Sequence, residues 1–305
     1  MGEEIYSPVK PSKTAHYEIR SASYLVRTWG SESARPMVLL HGMRDTSATF
    51  QFLVDALKGN WRIIAPDWRG HGQTKSAGHR YWFHDYLADL DALLELLVPD
   101  QVVDLIGHSL GGNVASAYAG LRAAKVRHIV SLDAFGILEQ SDSKFADLLA
   151  DWLPSARRKV APPRYRSVEA MADKLCSSNQ RLGRDKALYL AVNSSRRLSG
   201  DAFTWQFEAD YRRSMPTFHT LDEWIACWRR ITAPILWIAA ADSMPGTVAS
   251  NPESFAAVRA HIAPESVIRL PDTGHNVHHD APVQLAGIIE QFLDGESLVG
   301  EPRLS

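Results

Sequence analysis

The chain contains 305 residues, of which 45% are hydrophobic and 22% are charged, and its formal net charge at pH 7 is −2. These values are ordinary for a globular protein and exclude the strongly basic surface that binds nucleic acid. The sequence also lacks an apolar run of about 20 residues that could cross a membrane, and its start lacks the apolar core of a signal peptide, so we expect a cytoplasmic protein.

The first 135 residues alternate between short apolar runs and amphipathic segments. Polar and apolar residues alternate over 16–20 and 24–29, which predicts a β-hairpin. Further along, apolar runs predict buried strands, and apolar residues at helical spacing predict helices. The predicted strands cover residues 37–40, 62–67, 102–106 and 127–132. The predicted helices cover residues 47–57 and 81–97, and a third begins near residue 113.

This alternation stops between about residues 136 and 231, where amphipathic helical pieces, basic stretches and many aromatic residues occur. It resumes in the last 74 residues of the chain. The predicted elements there are strand 234–239, helix 252–261, strand 267–270 and helix 283–293. Alternating strands and helices predict a mostly parallel, eight-stranded sheet covered on both faces. We therefore predict a core domain of residues 1–135 and 232–305, with a helical cap, residues 136–231, inserted after the sixth strand.

One short motif stands between a predicted strand and a predicted helix. Residues 107–112 read Gly-His-Ser-Leu-Gly-Gly and fit the pattern G-x-S-x-G. A strand, a sharp turn and a helix in this order hold a serine in a strained backbone conformation and lift its hydroxyl clear of the sheet. Small neighbours are needed because a larger side chain would collide with the returning chain. The motif therefore indicates Ser109 as a catalytic nucleophile.

A serine nucleophile needs a base and an acid, each expected at the end of a later strand. Asp242 follows strand 234–239, and His275 follows strand 267–270. His275 would accept the serine proton and return it to the leaving group, while Asp242 would orient the imidazole. Asp133 also ends a predicted strand, one element earlier, and is the alternative acid. The sequence favours Asp242 over Asp133.

The other site residues are predicted from their positions along the chain. A tetrahedral intermediate needs donors for its negative oxygen, and the backbone N–H groups of Leu110 and Met43 are the candidates. Leu110 follows the nucleophile, and Met43 follows the strand that ends at His41-Gly42. Aromatic residues could line an apolar substrate pocket. The candidates for that pocket are Phe135, Trp152 and Trp205.

The chain resembles the serine hydrolases of the α/β-hydrolase fold. The resemblance rests on motifs that span nearly all of the chain outside the cap and the two tails. These motifs are His41-Gly42, residues 67–72, residues 107–112, Leu132-Asp133, and Gly274-His275 followed by Asp280-Ala281-Pro282. Within the cap, Asp173-Lys174-Leu175 with Asn179, Trp205 and Asp210 is loosely similar to the serine hydrolase-like subgroup. Ala239 stands where relatives often carry a glycine before the acid.

The resemblance implies hydrolysis of a small to medium, largely apolar carboxylic ester through an acyl-enzyme, without a cofactor. Relatives with the same triad also cleave carbon–carbon bonds, lactones, amides and thioesters, so these reactions stay open, as does a ligand-binding receptor with a vestigial triad. A serine at the elbow disfavours the relatives that attack with a carboxylate. We expect a small-molecule substrate, no nucleic-acid or membrane partner, and a monomer or homodimer.

A metal site is the other chemistry that the sequence suggests. His275, His278, His279 and Asp280 are suitable ligands and lie close together. The triad already uses His275, however, and no second group of ligands with metal spacing occurs elsewhere in the sequence. We therefore predict no metal site.

Overall fold

The computed structural model describes residues 4–76, 81–136, 145–157, 161–207, 220–244, 247–263, 266–296 and 298. Eleven strands occur in these ranges. They are β1 (Lys13–Ile19), β2 (Ala22–Trp29), β3 (Arg35–Leu40), β4 (Trp61–Pro66), β5 (Lys75–Ser76), β6 (Val103–His108), β7 (Val126–Leu132), β8 (Ser195–Arg197), β9 (Phe203–Trp205), β10 (Ile235–Asp242) and β11 (Val267–Gly274).

Eight of these strands form one continuous, mostly parallel sheet in the order β1-β2-β4-β3-β6-β7-β10-β11. The hairpin strands β1 and β2 are antiparallel, β2 is antiparallel to β4, and the remaining neighbours are parallel. The two-residue strand β5 pairs with β2 at the side of this path. The predicted α/β-hydrolase sheet is therefore confirmed.

Ten α-helices connect or cover the strands in the described ranges. They are α1 (Gln51–Ala56), α2 (Phe83–Leu97), α3 (Leu110–Leu121), α4 (Phe145–Arg157), α5 (Val168–Ser178), α6 (Arg184–Ser194), α7 (Leu221–Trp228), α8 (Pro252–Arg259), α9 (Val277–Asp280) and α10 (Pro282–Leu293). The segment predicted as one helix over 47–57 is a 3₁₀ turn, Ser47–Phe50, followed by the short helix α1.

The strand residues alternate between two hydrophobic cores, one on each face of the sheet. In β10, Trp237 packs with the core that includes α2, α3 and α7, whereas Leu236 and Ile238 pack with the core that includes α1 and α10. Such alternation is what a sheet buried on both faces requires, because successive side chains of a strand point to opposite faces.

The inserted segment packs on the core domain in two different places. Helices α5 and α6 share a small core with Phe52 of α1, through residues such as Met171 and Leu188. Helix α7 instead packs beside α3, where Trp228 Nε1 donates a hydrogen bond of 3.2 Å to Ser116 Oγ. The carboxyl-terminal part of the predicted cap therefore contributes to the main core.

The polar loop after β4 is held by buried hydrogen bonds. Asp67 accepts the backbone N–H of Ser47 at 2.7 Å and that of Gln73 at 3.0 Å. Arg69 donates to Asp89, a fully buried carboxylate on α2, at 2.7 Å. These contacts fix the loop beside the carboxyl ends of β3 and β6. Among the described residues, no helix is long and apolar enough to span a membrane.

Candidate active site

Ser109 occupies the turn between β6 and α3, and its φ is +51°. Its backbone N–H donates to the Leu132 carbonyl at 3.0 Å, and its carbonyl accepts from the N–H of Asn113 at 3.0 Å. Gly111 must be glycine here, because a Cβ at this position would collide with the carbonyl oxygen of Leu40 on β3. The turn therefore has the strained strand–turn–helix geometry that exposes a nucleophile.

His275 and Asp133 form a hydrogen-bonded pair close to this turn. His275 Nδ1 lies 2.6 Å from Asp133 Oδ2. Asp133 follows β7, has a φ of +48°, and is 2% exposed. Its carboxylate also accepts the N–H of Ala240 at 3.0 Å and the hydroxyl of Ser243 at 2.5 Å. Ala240, Ser243 and His275 thus share one buried carboxylate, which orients the imidazole with Nδ1 towards Asp133 and Nε2 away from it.

Asp242, the acid that the sequence favoured, lies elsewhere, and this prediction is wrong in the structure. Its side chain is 69% exposed and forms a salt bridge with Arg181 of the cap. It lines a separate cavity beside α8, with Arg259 and Arg269. The reason is the length of β10, which continues to Asp242 and pairs it with Gly274, past an irregularity after Ala240. The alternative acid, Asp133, takes the place beside His275.

His108, the residue before the nucleophile, connects the parts of the site. Its Nε2 lies 2.9 Å from the backbone carbonyl of His275, and the two rings are 4.7 Å apart. The ring is 3% exposed, and burial lowers the pKa of His108 well below its ordinary value. A neutral His108 with its proton on Nε2 donates to His275 and fixes the loop that carries the base. The sequence motif gave no signal for this contact, because the x of G-x-S-x-G admits many residues.

The loop after β3 lies against the nucleophile. A Cβ placed on Gly42 would lie 2.8 Å from Nδ1 of the buried His108 ring and 3.2 Å from the Cβ of Ser109, so a larger residue would displace the His108 ring. His41 is fully buried, accepts the Trp68 backbone N–H at Nε2 (2.9 Å), and contacts the Gly42 carbonyl through Nδ1 (2.7 Å). Burial lowers the pKa of His41 to about 4. The loop that carries Met43 is therefore rigidly placed, as an oxyanion donor requires.

Ser109 and His275 line one cavity of about 650 Å³. Met43, a predicted oxyanion residue, and Trp205, a predicted pocket residue, lie in its wall. The segment predicted as the cap also contributes to this wall, and its residues there include Tyr165, Lys174, Ser178 and Phe207. Leu110 begins α3 directly after the nucleophile and is buried.

The two other predicted pocket residues are not in this wall. Phe135 is 1% exposed and stacks on Trp237, with ring centroids 5.6 Å apart, so it belongs to the core beneath the sheet edge. Trp152 lies on α4, outside the set of described residues that line the cavity. The prediction for Phe135 is therefore wrong: a buried aromatic at a strand end packs on the neighbouring strand instead of facing a ligand.

A polar cluster joins the cavity to α9, and it combines the histidine pair suggested by the sequence, His278 and His279, with two residues that the sequence did not suggest, Thr49 and Asp45. His278 Nε2 and His279 Nε2 lie 2.9 Å and 2.6 Å from the hydroxyl of Thr49. Asp45 brings a carboxylate to the same place, so that three potential metal-ligand atoms lie within 4.8 Å of one another. The Thr49 hydroxyl already contacts both imidazoles, however, and completes the hydrogen bonds of those two nitrogen atoms without an ion. The sequence carried no signal for Asp45, which lies more than 230 residues from the histidine pair.

Comparisons with known proteins agree with this geometry. A family model for the alpha/beta hydrolase fold matches residues 35–282. The chain is 26% identical over 284 residues to a serine hydrolase-like protein of Danio rerio, covering 89% of this chain and 85% of that protein. It is 27% identical over 292 residues to a 3-hydroxybutyrate-oligomer hydrolase of Cupriavidus necator, covering 88% and 91%.

A solved structure with a similar fold is the thioesterase domain from the curacin biosynthetic pathway. It superposes with a TM-score of 0.80 at 21% identity, over 92% of this chain and 99% of that domain. The family match, the fold and the sequence relatives converge: this chain belongs to the α/β-hydrolase family and is a serine hydrolase of that fold.

Proposed function

We propose that the protein hydrolyses carboxylic esters through an acyl-enzyme on Ser109, with His275 as base and Asp133 as acid. The observation that carries this proposal is the 2.6 Å contact of His275 Nδ1 with the buried carboxylate of Asp133, in the cavity wall that also contains Ser109. A histidine oriented in this way presents its unprotonated Nε2 as a general base.

The reaction begins when the Ser109 hydroxyl oxygen attacks the ester carbonyl carbon and its proton passes to His275 Nε2. The backbone N–H groups of Met43 and Leu110 donate to the resulting oxyanion, and one such donor contributes roughly 3 kcal/mol. His275 then gives the proton to the alcohol oxygen as the bond between that oxygen and the carbonyl carbon breaks. The alcohol departs, and the acyl group remains esterified to Ser109. Water then attacks the acyl carbon while His275 takes its proton. The bond to Ser109 breaks, His275 returns the proton to the Ser109 oxygen, and the carboxylic acid is released.

Asp133 acts through His275 in these steps and does not contact the substrate. Its role is to hold the imidazole in one tautomer and to stabilise the imidazolium that forms in each half-reaction. The N–H of Ala240 and the hydroxyl of Ser243 stabilise the buried carboxylate, so it does not depend on His275 alone for hydrogen bonds. General acid–base help of this kind is worth roughly 10²–10⁴ in rate.

The cavity supports a small to medium substrate. Its volume of about 650 Å³ lies within the range of roughly 300–1,000 Å³ that is typical of small-molecule sites. The name of the Cupriavidus necator relative states that it hydrolyses oligomers of 3-hydroxybutyrate, which supports an ester as the bond cleaved. The wall contains charged and hydroxyl side chains beside aromatic and aliphatic ones, which suits a substrate with both apolar and polar parts.

A fluorophosphonate probe and a series of p-nitrophenyl esters of increasing acyl length test the proposal. We expect one labelled site per chain and turnover that depends on acyl length, with both lost in Ser109→Ala. The matched control is Ser33→Ala, which removes an exposed hydroxyl in the loop between β2 and β3. Turnover that persists in Ser109→Ala would refute the mechanism. Stoichiometric binding without turnover of any ester would instead indicate a receptor.

A further inference from the structure

We propose that the substrate carries a carboxylate group and that Lys174 of the cap binds it. This inference rests on the proposed function, since it concerns the acyl or alcohol part of the ester that Ser109 attacks. It starts from an imbalance of charge in the cavity wall. Lys174 brings a cationic side chain to the cap side of that wall, whereas the single carboxylate among its described residues, Asp45, lies on the core-domain side.

The acidic neighbour of Lys174 does not neutralise it. Asp173, the preceding residue on α5, forms a salt bridge of 2.8 Å with Arg184 at the start of α6. Lys174 itself forms no ion pair with any residue in the ranges that the structure describes. Asp173 is therefore engaged with Arg184, and the ammonium group of Lys174 is available to a ligand.

The carboxylate of Asp45 does not neutralise Lys174 either. Asp45 accepts the backbone N–H of Thr46 at 2.8 Å and lies beside the hydroxyl of Thr49, on the core-domain side of the cavity. Burial raises the pKa of Asp45 to about 6, so its negative charge weakens only as the pH falls towards that value. The cavity therefore retains positive charge on its cap side, where an anionic group is stabilised.

A second residue of α5, Ser178, offers the substrate carboxylate another polar contact beside Lys174. Ser178 lies four residues after Lys174, one helical turn away on the same face, and both line the cavity. A carboxylate has two oxygens and can accept from an ammonium and a hydroxyl together. Because Ser109 lies in another wall of the same cavity, one molecule can present an ester to the serine and a carboxylate to the cap. Half-esters of dicarboxylic acids, and hydroxy acids that are acylated on their hydroxyl group, have this chemistry.

Matched pairs of substrates test the inference. Monoethyl esters of succinic, glutaric and adipic acid are compared with ethyl esters of straight-chain acids of the same length, and acid release is followed at constant pH. We expect a lower KM for the best half-ester than for its neutral partner. In Lys174→Gln, the KM for half-esters should rise by roughly tenfold relative to the KM for neutral esters, because a hydrogen bond to a charged group is lost only for the half-esters.

Two further variants and a binding measurement complete the experiment. Lys174→Arg should keep the preference, and Lys13→Gln, on the exposed edge strand β1, should leave it unchanged. Equal KM values for the two substrate classes in the unmodified protein, or an equal effect of Lys174→Gln on both, would overturn the inference and leave the esterase proposal intact.

If no ester is turned over, calorimetry of glutarate with Ser109→Ala tests the inference separately. Binding that is lost in Ser109→Ala/Lys174→Gln supports the inference, and the absence of binding refutes it.

Discussion

The edge of the sheet that carries the proposed triad differs in construction from the predicted cap that lines the same cavity. At the sheet edge, Asp133, His108 and His41 are nearly fully buried, and each is held by backbone groups of neighbouring strands or loops. In the cap wall, Lys174 and Ser178 are exposed on one face of a short helix. We therefore expect the buried residues of the sheet edge to determine the reaction and the exposed residues of the cap wall to determine the choice of substrate.

Among the predicted changes, the largest effect on the buried sheet edge is expected from low pH, which should destabilise the fold. His41, His71 and His279 lie at the sheet edge, and burial lowers the pKa of His41 to about 4 and those of His71 and His279 to about 3. In the unfolded chain each has a pKa near 6.5. Below pH 6.5 the unfolded state binds protons that the folded state does not. The free energy of unfolding should therefore fall as the pH decreases from 6.5 towards 4, by up to about 1.4 kcal/mol per pH unit for each histidine.

Urea unfolding between pH 7 and pH 4.5 measures this dependence. His71→Asn should reduce its slope, whereas His16→Gln, on the exposed strand β1, should leave it unchanged. A free energy of unfolding that does not change between pH 6.5 and 4.5 would show that these histidines are not kept neutral by the fold.

A smaller effect is expected from His108, which links the sheet edge to the loop of the base. His108→Leu removes the donor to the carbonyl of His275 and leaves the nucleophile and the acid in place. We expect kcat to fall by about 10–100-fold, the range in which loss of a supporting hydrogen bond misplaces a catalytic group. KM and the stoichiometry of probe labelling should stay the same, while the rate of labelling falls with kcat. A change in KM alone would indicate a role in substrate binding instead.

The same contrast explains which parts of the site the sequence could predict. Local motifs single out Ser109 and His275, namely a turn of small residues after a strand and a Gly-His pair after another strand, and the fold brings both to the wall of one cavity. The choice between Asp133 and Asp242 depended on where two strands end in space. β10 runs two residues past Ala240 and carries Asp242 to the surface, which an apolar run alone does not reveal.

The sequence patterns could not predict which side chains from distant segments of the chain would contact each other. Thr49 meets His278 and His279, and Phe135 stacks on Trp237, only because the fold brings them together. The cap shows the same limit. Its helices were expected from amphipathic pieces, but the packing of α5 and α6 on Phe52, and of α7 on α3, depends on complementary surfaces that composition does not encode.

The identity of the triad acid is the central claim, and one pair of variants tests it most directly. Asp133→Asn keeps the shape of the side chain but allows the imidazole to adopt the wrong tautomer, so kcat should fall by roughly 10⁴. Asp242→Asn loses only an exposed salt bridge with Arg181, and kcat should stay within about threefold. The reverse result, with Asp242→Asn inactive and Asp133→Asn active, would contradict the triad of Ser109, His275 and Asp133.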